Sequence, residues 1–194
     1  APVLDLSGDA LLEVAATPEE YRFRTVRVEG ELDARGASLL RGRAHRGRPG
    51  VHLVAPLQVD GVPGALLVDL GWIPAPDGAS ADPQPYLPAG RISVEGRVQP
   101  LPSAEAADAR PLSIEVDGTE IRTFQRLNRS AYREHYPAEI LPFFVERLAT
   151  EEGAVDPPIG APPPELDEGP HLGYAVQWFS FAAIAVIGFG IVMA

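Results

Sequence analysis

Residues 51–74 read VHLVAPLQVDGVPGALLVDLGWIP. Two apolar runs, Val51–Val59 and Ala65–Ile73, flank the turn-rich segment Asp60-Gly61-Val62-Pro63-Gly64. Apolar runs around a Gly/Pro turn predict an antiparallel β-hairpin. Leu53 or Val54, and Leu66 or Val68, are then core residues. Moving outward, Arg91–Leu101 (RISVEGRVQPL) alternates apolar and polar residues. So does Tyr21–Leu32 (YRFRTVRVEGEL), with one register slip at Thr25. The two share a Val-Glu-Gly core, and their mid-strand glycines predict bulges or bends in neighbouring strands.

The remaining elements are shorter. Ser38–Leu40 reads as a brief strand and Arg41–Gly50 (RGRAHRGRPG) as a basic, glycine-rich loop. Pro74–Pro88 is a polar, proline-rich loop. Ser113–Val116 and Glu120–Phe124 flank Asp117-Gly118, a second hairpin signal. Phe143–Leu148 is a last strand. Ser7–Ala16 reads as a short helix capped by Ser7 or Asp9, and Arg126–Glu134 as another. Short strands separated by turn signals predict a mainly β domain over residues 1–150, an antiparallel barrel or sandwich with short helices.

The C-terminus is different in kind. Leu172–Ala194 (LGYAVQWFSFAAIAVIGFGIVMA) contains no charged residue. As a helix at about 1.5 Å per residue it spans roughly 34 Å, enough for a hydrocarbon core of about 30 Å. Residues 171–194 are therefore expected to form a transmembrane helix, with Tyr174 near the headgroup level. Residues 151–170 form a linker with six acids, six prolines and no base. Cytoplasmic flanks usually carry Arg or Lys, so the domain is expected on the extracytoplasmic side of the membrane. The chain begins without Met and stops inside apolar sequence, which points to a longer parent with an export signal upstream.

Composition narrows the function. The 194 residues carry 27 acids and 16 bases, all of them Arg, for a net charge of −11. So acidic a chain is not a nucleic-acid binder. With no cysteine there is no disulfide, thiol nucleophile or Cys-ligated metal. The histidines at 45, 52, 135 and 171 lack the close spacing of a zinc site. No G-x-S-x-G motif or Ser/His/Asp set is recognisable, so no catalytic or metal-ligating set is assigned.

Two places carry chemistry. His171 opens the apolar helix, with Tyr174 and Trp178 three and seven residues on and therefore on its face. A helix N-terminus disfavours added positive charge and so favours the neutral imidazole that binds a metal. Such a histidine is either a haem axial ligand or a polar residue anchoring the helix at the interface. Arg41, Arg43, Arg46 and Arg48 crowd around His45. They suit anionic lipid headgroups, haem propionates or an acidic partner surface, or form a solvated hairpin tip.

Taken together, VRVEGEL (26–32), Arg48-Pro49-Gly50 before VHLVAPLQVDG (51–61), ALLVDLGWIP (65–74), RISVEGRVQ (91–99) and HLGYAVQWFSFA (171–182) resemble the SURF1 family of cytochrome c oxidase assembly factors. The G-W-I-P and H-x-x-Y-A-x-Q-W-F boxes are the specific parts. The resemblance implies a β-rich domain outside a bacterial cell membrane, bracketed by two membrane helices. It implies a non-enzymatic role in delivering haem a to the catalytic subunit of a haem-copper oxidase, with membrane lipid around the anchor. It also implies that His171 is the haem ligand, beside Tyr174 and Trp178. An alternative is a stable accessory subunit of an oxidase or respiratory supercomplex that binds no cofactor. A membrane-anchored hydrolase would need a nucleophile and base that the sequence does not offer. Leu70 stands where the family box usually carries Arg, so a contact made by that Arg is lost or supplied by another. Gly71 is expected to permit a tight approach, and Trp72 to fill the barrel end.

Overall fold

The computed structural model describes residues 2–103, 111–116, 118–149, 156–162 and 171–193. It divides into two units, Ala1–Pro163 and Pro164–Ala194, each taken by itself below. In the first unit the strands are β1 (Leu4–Leu6), β2 (Thr25–Leu32), β3 (Ser38–His45), β4 (Arg48–Gln58) and β5 (Ala65–Pro74). They continue with β6 (Arg91–Pro100), β7 (Leu112–Val116), β8 (Thr119–Phe124) and β9 (Ile140–Arg147). Helices α1 (Gly8–Ala16) and α2 (Arg129–Arg133) complete it.

The sheet runs β1-β2-β6-β9-β5-β4-β3-β8-β7, and an added β2–β4 pairing closes β2, β6, β9, β5 and β4 into a barrel. Barrel neighbours are antiparallel except β5 and β9. Closure depends on how β4 shares one edge. Its early residues pair with β3, as in Ser38 with Val54, while Leu57 and Gln58 pair with β2. Pro56 sits at the handover, where a missing N–H removes no ladder bond, and its carbonyl accepts from the Asp33 N–H at 2.9 Å.

The predicted hairpin of residues 51–73 is β4–β5, in register from Gly50 opposite Pro74 to Gln58 opposite Ala65. Leu53, Val54, Leu66 and Val68 are all fully buried. Both faces of this hairpin are covered. Leu53, Leu57, Leu66 and Val68 face the barrel core with Val26, Val94 and Phe143. Val54 and Leu67 face a second cluster with Leu40, Phe124, Tyr132 and Ile140. Burial on both faces is why these segments read as continuous apolar runs.

Several sequence expectations are corrected. Residues 41–50 are not a loop: β3 runs to His45 and β4 starts at Arg48. The glycines there serve strands. Gly42 (φ 69°) sits in a bulge between Leu40 and Arg43, and Arg46 (φ 49°) with Gly47 (φ 76°) makes a tight two-residue hairpin turn. The strand expected from Tyr21 begins at Thr25, after turns. The helix expected over residues 126–134 spans Arg129–Arg133, where the Asn128 side chain accepts from the Ala131 N–H at 3.2 Å. Gly30 and Gly96 lie on neighbouring strands in unbroken register, so neither is a bulge there. A Cβ on Gly30 would come within 2.4 Å of the Gln58 carbonyl oxygen, and one on Gly96 within 2.4 Å of Val145 Cγ1. They are points of close approach across the barrel seams. The β7–β8 hairpin is present, with Asp117 outside the described residues.

The second unit contains α3 (His171–Met193). Within it Gly173–Ile191 forms a 19-residue stretch of mean hydropathy 1.7, none of it buried, and is a candidate membrane anchor. Ser180 Oγ donates to the Val176 carbonyl at 2.8 Å, so this hydroxyl is satisfied within the helix.

At the β2–β4 seam, Tyr136 bridges two elements. Its hydroxyl accepts from Gln58 Nε2 at 2.9 Å and donates to Asp33 Oδ2 at 3.0 Å. Arg35 hydrogen-bonds the same carboxylate and, with the Arg35 N–H and Tyr136, holds its pKa below the usual value. A depressed folded pKa adds stability above the unfolded value, and that stability is lost as pH falls through it. Asp33→Asn is therefore expected to flatten the loss of stability below about pH 4, read as urea midpoints measured between neutral pH and that acid range.

Candidate functional site

The site begins with an irregularity in β5. Asp69 pairs with Val54 and Gly71 with Leu53, leaving Leu70 as the extra residue of a bulge. Gly71 has φ 113°, a conformation L side chains rarely adopt. The bulge reverses the side-chain alternation. Leu66, Val68 and Leu70 face the barrel core before it, and Ile73 after it. Asp69 and Trp72, three residues apart, thus share the opposite face.

Polar groups hold the bulge in place. Asp69 is buried, and its Oδ1 accepts from the Gly71 N–H at 3.0 Å. Its Oδ2 lies 2.8 Å from His52 Nδ1 on β4. From β9, Arg147 Nε donates to the Leu70 carbonyl at 2.8 Å, and Nη2 donates to the Pro158 carbonyl. Burial pushes the Arg147 guanidinium pKa down, while the Asp69 charge opposes the shift. Leu70 itself is buried in the core, and a guanidinium reaches this spot from another strand.

Residues 156–162 lie along this edge. Trp72 and Ile159 exchange backbone hydrogen bonds, each 2.8 Å, and the Ala161 N–H donates to the Arg147 carbonyl at 2.8 Å. Contact is so close that a Cβ on Gly71 would come within 2.1 Å of the Ile159 carbonyl oxygen. The tight approach expected of Gly71 is thus a contact with residue 159.

Trp72 lies over Gly50, where a Cβ would come within 2.2 Å of its Nε1, and 5.5 Å from the His45 ring. It belongs to neither core cluster, so it does not fill the barrel end as expected. Instead it forms one wall of a cleft of about 550 Å³. Its other walls are Pro49, Pro74, Ala75, Pro76, Pro157 and Ile159, with His45, Arg46 and Arg48 at the hairpin tip. Of the four arginines expected to act together, Arg46 and Arg48 line the cleft; Arg41 and Arg43, on β3, do not. The buried Trp72 Nε1 has no hydrogen-bond partner. The sequence reading missed this cleft, because nothing local links residues 157–159 to Trp72.

In the second unit, His171 opens α3; its side chain lies outside the described ones. Tyr174 and Trp178 are 58% and 71% exposed, and Trp178 meets Phe181 edge-on at 6.2 Å.

A small β barrel whose chain also carries one candidate membrane anchor defines the structural class. The particular family follows from comparison: the model of the SURF1 family matches residues 1–183, the barrel and the first half of α3 included. The chain belongs to the SURF1 family. It is similar to an uncharacterized SURF1-like protein of Mycobacterium bovis and to two from strains of Mycobacterium tuberculosis. Each is 27% identical over 174 residues, covering 88% of this chain and 60% of the relative. The chain therefore spans under two thirds of the length of these relatives.

Gly71→Ala should lower stability by about 2 kcal/mol or more, since it adds backbone strain to a clash with the residue 159 backbone. Gly78→Ala, at φ 65° with open space around it, should cost about 1 kcal/mol. Chemical denaturation of the two variants side by side checks the ordering.

Proposed function

We propose that this protein is a membrane-anchored assembly factor for haem-copper cytochrome c oxidase. In this reading it assists delivery of haem a to the catalytic subunit and is not an enzyme. Family membership, carried across both the barrel and the helix, is the observation behind the proposal. Haem a is cargo here, and the chain's task is to hold it and release it. His171 supplies a neutral imidazole to the iron. Tyr174 and Trp178, exposed on the same helix face, supply apolar surface for the macrocycle. The barrel domain lies on the extracytoplasmic face of a bacterial membrane. Support for that side comes from the acidic, base-free residues 151–170.

His171→Ala in the full-length protein, purified from cells that make haem a, should shift the absorption spectrum and lower haem occupancy several-fold. Membrane insertion should be unchanged, because one interfacial histidine contributes little to it. Full haem content with a normal spectrum would sink the ligand role. If the protein then co-purified one-to-one with the oxidase, it would be an accessory subunit instead.

Topology has its own test. Protease added to intact spheroplasts should digest the barrel domain. Full protection of an inserted protein would place the domain on the other side.

A further inference from the structure

The hairpin tip carries cations that the fold does not use. Arg27, Arg35, Arg91, Arg97, Arg122 and Arg129 each meet a carboxylate. Among the described residues, the Arg46 and Arg48 side chains, like those of Arg24, Arg41, Arg43 and Arg126, have no ion pair or hydrogen bond, although the chain has a net charge of −11; of these only Arg46 and Arg48 line the cleft. Below them the cleft wall is apolar: Trp72, Pro74, Ala75, Pro76, Pro157 and Ile159. Among the described residues, no carboxylate lines it. Of the two carboxylates next to that wall in sequence, Asp77 accepts from the Ala79 and Ser80 N–H groups, at 2.9 Å each, and Asp156, before Pro157, is exposed and does not line the cleft.

A wide apolar floor under a cationic rim selects an amphipathic anion. A bare inorganic ion would gain nothing from the floor, and a neutral apolar molecule nothing from the rim. A volume of about 550 Å³ suits a headgroup with its first attached carbons, within the usual range of about 300–1,000 Å³ for ligand clefts. The same chain carries a candidate membrane anchor, so bilayer lipid is the amphiphile at hand. So acidic a domain is repelled by an anionic lipid surface unless a local cationic site overrides the repulsion.

We propose that this cleft binds the head of an anionic membrane phospholipid. The phosphate sits on Arg46 and Arg48, and the glycerol and upper acyl carbons rest on Trp72 and the prolines. The proposal concerns the barrel domain and does not rest on the haem reading of α3.

Trp72 reports on the cleft directly. The chain has two tryptophans, so Trp178→Phe leaves Trp72 as the sole tryptophan, read by excitation at the red edge where the tyrosines do not absorb. The full chain with this change, in detergent, is titrated with dihexanoyl phosphatidylglycerol, dihexanoyl phosphatidylcholine or inorganic phosphate. A saturable change in Trp72 emission is expected with phosphatidylglycerol alone. Adding Arg46→Gly and Arg48→Gln should weaken it about tenfold or more, as expected for losing charge-assisted hydrogen bonds. Glycine is chosen at 46 because it accepts the positive φ there. Arg22→Gln with Arg24→Gln removes the same charge elsewhere and should leave binding unchanged. An equal response to phosphatidylcholine would overturn the proposal. So would saturation by inorganic phosphate at the same concentration, or undiminished binding by the hairpin variant.

Discussion

The Asp69 carboxylate bound to the Gly71 N–H is the contact on which the rest of this domain turns. It stabilises the bulge that sends Leu70 into the barrel and Trp72 to the opposite face. Without that reversal Trp72 would point where Leu70 and Ile73 already fill space. Residues 157–159 would then lose the wall against which they form the cleft. The positive φ at Gly71 opens room for the residue 159 backbone, whose hydrogen bonds with Trp72 extend the sheet past its last named strand.

Burying a carboxylate for this purpose is costly unless both oxygens find partners, and here both do. His52 occupies one and the Gly71 N–H the other. Arg147 contributes from β9 by donating to backbone carbonyls on each side of the junction, Leu70 and Pro158. Its burial lowers the guanidinium pKa, and the Asp69 charge offsets part of that penalty. A buried carboxylate and a part-buried guanidinium thus serve one backbone irregularity.

The β4–β5 hairpin was legible because both of its faces are buried, which leaves a strong run of apolar residues on either side of a Gly/Pro turn. The apolar helix was legible for a similar reason, since length and lack of charge need no tertiary knowledge. Residues 41–50 misled because Gly42 and Gly47 look like loop glycines, while one serves a bulge and the other a hairpin turn. The alternating pattern puts Gly30 and Gly96 on neighbouring strands, but their role is set by Gln58 and Val145 across the seams, which no local pattern reveals. The cleft failed for the same reason. Its walls come from residues 45–49, 72–76 and 157–159, joined only by the folded sheet. Arg46 and Arg48 could be picked from the sequence by charge, but separating them from Arg41 and Arg43 needed the turn geometry.

Which polar groups the fold engages, and which it leaves unspent, bears on what the molecule can hold. Both Asp69 oxygens are engaged at the bulge, by His52 and by the Gly71 N–H. Asp33 is likewise engaged by Arg35 and Tyr136 at the barrel seam. Among the described residues the fold leaves exposed two arginines at a hairpin turn, an apolar wall of the same cleft and aromatic rings along α3. Cations, prolines and aromatic faces recognise and orient amphipathic molecules. Surfaces of that kind are what the assembly-factor and lipid-cleft proposals draw on.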